Sequence, residues 1–276
     1  GWLFSRWLPN LALGYGYPFF NYREPLPYLV GEGLFALGVP LPWVLGLIYV
    51  AAMVGGAWGA SVLARDIYGE RAAWVAGLAY GLGPYVLLDA LRRGNMPESV
   101  ALGLAPWLFV VARRVVVERR RASIVATVLL LTALFLTHNI SSLLLAPFLG
   151  AYVVLIGLRY RRRGGWPYAL GAVAVAVLLT AWFWLPALTE QGWAQLHLSR
   201  TTRNNDFHYN FVGWGEMLAT VPVPHEPAYL NPPMRVYLGV GQGVLAAIGA
   251  WVAMIWPRDR EQRWTTGLWL LSACGY

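Results

Sequence analysis

Four segments of this largely apolar chain carry side chains that can bind anions or move protons. The densest is residues 89–98, with the sequence Asp-Ala-Leu-Arg-Arg-Gly-Asn-Met-Pro-Glu. Arg92 and Arg93, with the amide of Asn95 close by, can hold a phosphate or pyrophosphate through paired donors. Glu98 stands in the first turn of a predicted helix, where a carboxylate either complements the helix dipole or serves as an acid or base. The segment therefore predicts an anion-binding and proton-transfer site, with arginines that reach lipid headgroups as the structural alternative.

Two further segments contribute one candidate acid–base group each. His138 stands in a short turn between two apolar runs, where an imidazole can move a proton near neutral pH or cap a neighbouring carbonyl. Glu24 lies in residues 6–28, which are rich in glycine, proline and aromatic residues. Its carboxylate can serve as a base or form a solvated pair with Arg23. The aromatic side chains around it suit either a membrane interface or a surface on which sugars stack.

The fourth segment, residues 187–233, is a long connection between apolar runs. Its His197 and His208 are 11 positions apart, a spacing that matches no standard zinc pattern, so we expect no metal site there. A loop of this length without structure of its own usually covers or binds something, so a substrate lid is favoured over a poorly ordered connector. Its other polar candidates are Arg200, Arg203, Asn204, Asn205, Asp206, His225, Glu226 and Asn231.

The elements that must position these groups are those of a membrane protein. Of the 276 residues 58% are hydrophobic and only 12% are charged, and the mean hydropathy is +0.50. This composition excludes a soluble globule, a disordered chain and a nucleic-acid-binding module, because long apolar runs with 15 Trp and 15 Tyr need a non-aqueous solvent. The single cysteine, Cys274, excludes an intrachain disulfide and a cysteine-based metal site.

Eight apolar runs are long enough, or nearly long enough, to cross a bilayer. A bilayer-spanning backbone must satisfy its own hydrogen bonds, and the runs are too long for barrel strands, so all are predicted to be helices. We expect an all-α polytopic bundle with one transmembrane domain over 1–276. Residues 27–38 are too short to cross and are predicted to form an interfacial or re-entrant helix within an outer loop at 1–41. The predicted spans are 42–64, 72–90, 97–112, 122–137, 140–158, 166–186, 234–256 and 264–276.

The charged side chains predict the orientation of the bundle. All 21 basic residues are arginines, and 14 of them lie in four turns, at 65–71, 113–121, 159–165 and 257–263, against five acidic residues. The remaining segments carry seven arginines, eight acidic residues and all four histidines. By the positive-inside rule the arginine-rich turns face the cytoplasm, and every candidate site residue then falls on the outer face.

Both ends of the sequence suggest a longer protein. The chain begins with Gly1 inside a polar and aromatic loop, and it ends 13 residues into the apolar run at 264–276. At 1.5 Å per residue this run reaches roughly 20 Å into a hydrocarbon core about 30 Å thick. We expect a first membrane helix before Gly1 and further chain after Tyr276.

A set of short motifs is spread over the first half of the chain. They are Arg-Trp-Leu-Pro at 6–9, Gly-Tyr-Gly-Tyr-Pro at 14–18, Pro-Leu-Pro-Tyr at 25–28, Arg-Gly-Asn-Met-Pro-Glu at 93–98 with Pro106 downstream, and Leu-Thr-His-Asn at 136–139. Together they resemble the bacterial membrane proteins called 6-pyruvoyl-tetrahydropterin synthase-related, over residues 1 to about 150. Pterin synthases themselves are soluble zinc enzymes, and this sequence has neither property.

Members of this family are similar in layout to GT-C glycosyltransferases, which take a sugar from a polyprenyl-phosphate carrier and attach it outside the membrane. The resemblance implies that Arg6 and Arg93 contact the carrier phosphate. It also implies that Glu98, His138 and Asn139 line the site. In that superfamily a carboxylate of the first outer loop takes the proton of the acceptor hydroxyl, and the resemblance places this residue upstream of the sequence. The implied location is the bacterial cytoplasmic membrane.

We therefore expect a membrane-embedded glycosyltransferase whose partners are the bilayer and a polyprenyl-phosphate-linked sugar, with no nucleic-acid partner. The alternatives are a transporter or flippase of lipid-linked or polar substrates, and a non-catalytic envelope assembly protein. A transporter needs polar groups near the bilayer midplane, and the predicted spans contain almost none. The sequence leaves open the cofactor, a divalent cation included, and the oligomeric state.

Overall fold

The computed structural model describes residues 6–161, 164–193, 239–257 and 259–274, together with residues 213 and 215. Within these ranges the regular secondary structure is helical, which confirms the predicted all-α class. The helices, in chain order, are α1 (Phe19–Tyr22), α2 (Leu26–Ala36), α3 (Leu41–Tyr68), α4 (Glu70–Gly81), α5 (Pro84–Leu88), α6 (Met96–Glu118), α7 (Arg121–Phe135), α8 (Asn139–Arg159), α9 (Trp166–Leu179), α10 (Ala181–Thr189), α11 (Val240–Ile255) and α12 (Arg260–Cys274).

Four helical stretches of the described chain are long and apolar enough to cross a membrane: 41–68, 70–93, 96–118 and 139–159. α9 and α10, which are bent by 63° where they meet, make a fifth if they cross as one unit. The chain is therefore a polytopic membrane protein, and its described residues include four or five spans by length and composition.

The remaining predicted spans correspond to shorter helices. α7 and α11 have 15 and 16 residues, and α12 has 15. None of the three is counted as a span by length and composition, so a total of eight stays a prediction. The short helix expected at 27–38 is present as α2, with 11 residues.

α6 is the central helix of the bundle and packs against α3, α7, α8 and α9. Its crossing with α3 is close, since a Cβ atom on Gly103 would lie only 2.7 Å from the carbonyl oxygen of Ala52. Small residues at such a crossing let two backbones approach in a membrane. The hydroxyl of Tyr80 donates to the carbonyl of Leu102 at 2.6 Å and ties α4 to the same helix. These contacts fix the position of α6 and of the polar residues at its N-terminus.

The second span is broken near its C-terminal end. Pro84, which has no N–H to donate, ends the hydrogen-bonding pattern of α4 and starts α5. The chain continues through a π-helical turn at Asp89–Arg93 and leaves it at Gly94, whose φ of 62° lies in the left-handed region that glycine tolerates. Asn95 follows directly as the N-cap of α6. The sequence predicted one continuous helix over 72–90, without this break and turn.

The four arginine-rich turns meet at one end of the bundle. Arg113 donates from Nε and Nη2 to the two carboxylate oxygens of Glu261, at 2.6 and 3.1 Å. The hydroxyl of Tyr160 donates to the same carboxylate at 2.5 Å, and Arg114 lies 3.4 Å from Asp66. Burial raises the pKa of Tyr160, and its hydrogen bond to the negatively charged Glu261 raises it further. The turns that the charge pattern assigned to one face therefore contact one another.

The first segment of the chain lies at the opposite end of the bundle. The backbone N–H of Leu26 donates to the carbonyl of Leu136, at the end of α7, at 2.8 Å. The side-chain amide of Asn21 donates to the carboxylate of Glu190, just after α10, at 2.8 Å. Segments distant in sequence are thus brought together at the end where the sequence predicted the site.

Candidate functional site

Arg93 is the centre of a polar cluster at the N-terminal end of α6. Its Nη1 atom lies 2.9 Å from Oδ1 of Asp89, 2.8 Å from Oε2 of Glu98 and 3.0 Å from the hydroxyl oxygen of Tyr85. Hydrogen bonds between a guanidinium and carboxylates are among the strongest in proteins, because both partners are charged. Arg93 therefore links α5, the π-helical turn and α6 through one side chain.

The carboxylate of Glu98 is surrounded by donors. The hydroxyl of Tyr85 donates to Oε1, while Nη1 of Arg93 and Nδ2 of Asn95 donate to Oε2 at 2.8 and 2.7 Å. Asn95 precedes Glu98 by three positions, the spacing of a capping box, but its side chain bonds the carboxylate and makes no cap hydrogen bond to the helix. The three donors hold Glu98 in a fixed position, with its oxygens as acceptors.

Asp89 is the buried member of the cluster, with 0% of its surface exposed. Its Oδ1 atom binds Arg93, and its Oδ2 atom accepts a hydrogen bond of 2.7 Å from the hydroxyl of Ser99. A buried carboxylate requires such partners, because an uncompensated charge in apolar surroundings is strongly destabilising. One cation faces two carboxylates here, so the cluster carries one formal negative charge. Both carboxylates are bound through Nη1, so an anion can approach the guanidinium at its other N–H donors or take the place of Glu98.

An apolar cavity of about 510 Å³ lies beside Glu98 and Tyr85. It extends along α6 as far as Phe109, which at 1.5 Å per residue is roughly 16 Å from Glu98 along the helix axis. A polar end and a long apolar wall suit an amphipathic ligand, with its head group at Glu98 and its chain along α6. The other lining residues come from α6, α7, α8 and α12: Ala101, Leu102, Ala105, Leu134, Ser141, Leu144, Leu145, Phe148, Trp269, Ser272 and Ala273.

His138 is the N-cap of α8 and is joined to the wall of this cavity through Ser141. Its Nδ1 atom accepts a hydrogen bond of 3.3 Å from the backbone N–H of Ser141 and lies 2.7 Å from the hydroxyl oxygen of the same residue. Acceptance at Nδ1 leaves Nε2 as the protonated nitrogen of the neutral ring. The imidazole thus caps a helix. The structural alternative predicted a cap on a neighbouring carbonyl, whereas the observed cap accepts from the backbone N–H of Ser141.

Glu24, in the first segment of the chain, binds the turn that contains His138 and Asn139. Its Oε1 atom accepts a hydrogen bond of 2.7 Å from the backbone N–H of Asn139, the first residue of α8. N–H groups in the first turn have no partner inside the helix, and a carboxylate there also complements the helix dipole. With only 4% of its surface exposed, Glu24 is not the solvated carboxylate of the alternative interpretation.

A second apolar cavity, of about 370 Å³, lies on the other side of this turn. Asn139 and Ser142 line it, whereas Ser141 between them lines the first cavity. The start of α8 therefore separates two cavities. The remaining lining residues of the second cavity are Phe135, Val177, Thr180, Phe183 and Trp184.

The remaining predicted site residues lie at the edge of the polar cluster and its cavities, or outside the described residues. The guanidinium of Arg6 donates to the carbonyl of Trp182, near the start of α10. Arg92 is exposed at the end of the π-helical turn, next to Arg93. The polar candidates of the long connection, from His197 to Asn231, lie outside the described residues.

Sequence reasoning assigned no role to Tyr85, Asp89 or Ser99, which complete the cluster. The signal was present for two of them, because Tyr85, Asp89 and Arg93 are spaced by four residues and so fall on one face of a helix. Ser99 gave no comparable signal. Over the described part of the chain, no group of three or more His, Cys, Asp or Glu side chains is arranged to hold a metal ion.

Comparison with families of known proteins identifies a match to most of the chain. A family model for the 6-pyruvoyl-tetrahydropterin synthase related domain, a membrane protein, matches residues 20–223. The matched range includes Glu24, the cluster around Arg93 and the turn at His138. Neither a curated protein nor a solved structure matches the chain.

Proposed function

We propose a function for this chain, which belongs to the 6-pyruvoyl-tetrahydropterin synthase-related family of membrane proteins. The protein transfers a sugar from a polyprenyl-phosphate carrier to an acceptor hydroxyl. The observation that supports this proposal most is the position of Glu98 at the polar end of an apolar cavity. A lipid-linked sugar has an apolar chain for the cavity and a reactive head group for the polar cluster. A water-soluble donor would leave the apolar wall along α6 without a partner.

In the proposed reaction Glu98 is the general base, in place of the first-loop carboxylate that the resemblance to GT-C enzymes implies. Its carboxylate takes the proton of the acceptor hydroxyl, and the hydroxyl oxygen forms a bond to the anomeric carbon of the sugar. The bond between that carbon and the phosphate oxygen breaks, and its electron pair leaves with polyprenyl phosphate. Tyr85 and Asn95 hold the carboxylate in place, so that little reorganisation is needed when the substrates bind.

The arginines supply positive charge to the leaving phosphate. We propose that the phosphate replaces Glu98 at Nη1 of Arg93, the nitrogen that binds both carboxylates. This exchange would free Glu98 from its ion pair when it is needed as a base, while Asp89 keeps Arg93 in position. Arg92 brings the formal charge of the site to zero and provides the second phosphate contact.

We assign the reaction to the outer face of the bacterial cytoplasmic membrane. The cluster lies at the end of the bundle opposite the arginine-rich turns, which the positive-inside rule assigns to the cytoplasm. His138 and Asn139 then lie on the outer side, at the start of α8, which separates the two cavities. The acceptor approaches this turn from the second cavity.

The proposal is tested with the purified protein in lipid nanodiscs, undecaprenyl-phosphate-linked hexoses that carry a radioactive sugar, and a set of hydroxyl-bearing sugars as acceptors. Cleavage is measured as the loss of label from the extracted lipid. Glu98→Gln is expected to lower turnover by about 100-fold or more, because an amide cannot take the proton. Glu32→Gln is the matched control, with the same change at an exposed position of α2, and it should retain wild-type turnover.

Equal turnover in wild type and Glu98→Gln would contradict the role of Glu98 as base. In a parallel experiment with proteoliposomes, movement of the intact labelled carrier between leaflets without cleavage would favour the transporter or flippase alternative.

A further inference from the structure

Residues 7–17 form a hairpin whose tip is apolar and exposed. Leu8 and Tyr17 pair at its base through two backbone hydrogen bonds of 2.9 and 3.0 Å. At the tip, Leu13 is 99% exposed and Tyr15 is 86% exposed, and Leu11 is also exposed. Side chains that a protein normally buries therefore face away from the rest of the molecule.

The backbone of the tip holds these side chains outward at some strain. Ala12 and Leu13 have φ angles of 53° and 58°, in the left-handed region where a Cβ atom is crowded. The turn is fixed by hydrogen bonds to the carbonyl of Leu11 from the N–H groups of Gly14, at 3.2 Å, and Gly16, at 2.9 Å. Strain of this kind persists where other interactions compensate for it, and burial of Leu13 in an apolar phase would provide that compensation.

The segment 7–22 contains no charged residue and no histidine. Water-facing segments usually carry charges, whereas tryptophan and tyrosine are enriched where a membrane protein crosses from lipid to water. Trp7 and Tyr17, like Tyr15, are exposed aromatic side chains of this hairpin. A surface without charge attracts neither anionic headgroups nor an oppositely charged protein, so apolar contact is its main means of binding.

The base of the hairpin is attached where spans end. Asn21 binds Glu190 just after α10, and Glu24 binds the first residue of α8. These helix ends belong to stretches that can cross the membrane, so the hairpin emerges near the level of the lipid headgroups. We infer that its tip, formed by Leu11, Leu13 and Tyr15, inserts into the interfacial layer of the bilayer as an uncharged anchor. This inference does not depend on the proposed transfer reaction.

The experiment places a fluorescent label at the tip of the protein in nanodiscs of phosphatidylcholine. Cys274→Ser removes the native thiol, and Leu13→Cys is labelled with an environment-sensitive dye. The control is Arg120→Cys in the same background, in the exposed turn between α6 and α7. Two quenchers are compared, namely iodide in the water and lipid that carries a nitroxide near its headgroup.

Insertion predicts that the label at position 13 is quenched by the nitroxide lipid several-fold more strongly than the label at position 120, and less strongly by iodide. The result should be unchanged when anionic lipid is added, because the hairpin has no charge. Strong quenching by iodide alone would show a tip in water and would overturn the inference. Weak quenching by both would show that protein covers the tip and would overturn the inference as well.

Discussion

Arg93 and Glu98 form an ion pair of 2.8 Å in which the same arginine nitrogen also binds Asp89, at 2.9 Å. One guanidinium thus holds a fully buried carboxylate on one side and a carboxylate beside an apolar cavity on the other. Asp89 is fully buried and also accepts a hydrogen bond from Ser99, whereas Glu98 lies at the cavity, where in our proposal an incoming anion takes its place. Arg93 therefore has a structural role, through its pair with Asp89, and in our proposal it also binds the phosphate of the carrier.

Replacing Arg93 with alanine should destabilise the protein as well as inactivate it. The change leaves Asp89 buried without a cation, which we expect to cost about 1–3 kcal/mol of unfolding free energy. Arg71→Ala, an exposed position in an arginine-rich turn, is the control and should leave stability unchanged. Unfolding of both variants in mixed micelles measures the difference. Equal stability of the two variants would show that Asp89 does not need the guanidinium.

Glu24 can be tested separately as a helix cap and as a base. Glu24→Gln keeps an oxygen that can accept from the N–H of Asn139, so we expect near-normal stability and turnover. Glu24→Ala removes the acceptor and should cost about 1 kcal/mol, in the range of a lost helix cap. Thermal unfolding and carrier turnover are measured on both variants. A stable Glu24→Gln protein without turnover would support Glu24 as the base.

Filling the cavity should block the carrier without unfolding the bundle. Leu144 lines the cavity and Leu143, its neighbour on α8, does not. Leu144→Trp is expected to raise the KM for a lipid-linked sugar about tenfold or more, whereas Leu143→Trp should leave it unchanged. The steady-state kinetics of the two variants supply the comparison. An equal KM in both would remove the cavity from the binding site.

The buried pair of Arg113 and Glu261 should contribute to the stability of the other end. Glu261→Gln leaves Arg113 without its carboxylate, and breaking a buried pair in this way costs roughly 3–5 kcal/mol. Glu118→Gln is the control, because Glu118 pairs with the exposed Arg120 and such pairs contribute little. Denaturant titration in micelles should show a large loss only for Glu261→Gln. Similar losses in both variants would mean that burial does not set the strength of this contact.

Hydropathy predicted the long helices well but not where their ends lie. The span expected at 140–158 is observed as Asn139–Arg159, because an unbroken apolar run has only one stable form in lipid. The run expected at 97–112 continues as a helix to Glu118, since Arg113 and Arg114 extend the helix beyond its apolar part. The break at Pro84 was signalled by the residue itself, which cannot donate in a helix.

The candidate site was predicted as a segment and not as a cluster. Arg93, Asn95 and Glu98 are close in sequence, and a turn brings them together. Their bonds to Asp89 and Tyr85 depend on a π-helical turn and on the left-handed Gly94, which local pattern does not reveal. Contacts such as that of Glu24 with Asn139, 115 positions apart, depend on the packing of distant helices.

The most direct test of the account is to locate the chain of the carrier. A polyprenyl phosphate with a photoreactive diazirine on an isoprene unit near the phosphate is bound to the protein in nanodiscs, illuminated and mapped by mass spectrometry. We predict adducts on cavity residues such as Leu102, Ala105 and Leu144, suppressed by excess unlabelled carrier. Adducts confined to exposed residues outside the cavity, such as Leu129 and Leu143, and unaffected by that excess, would contradict the central claim that Glu98 and the cavity form one site.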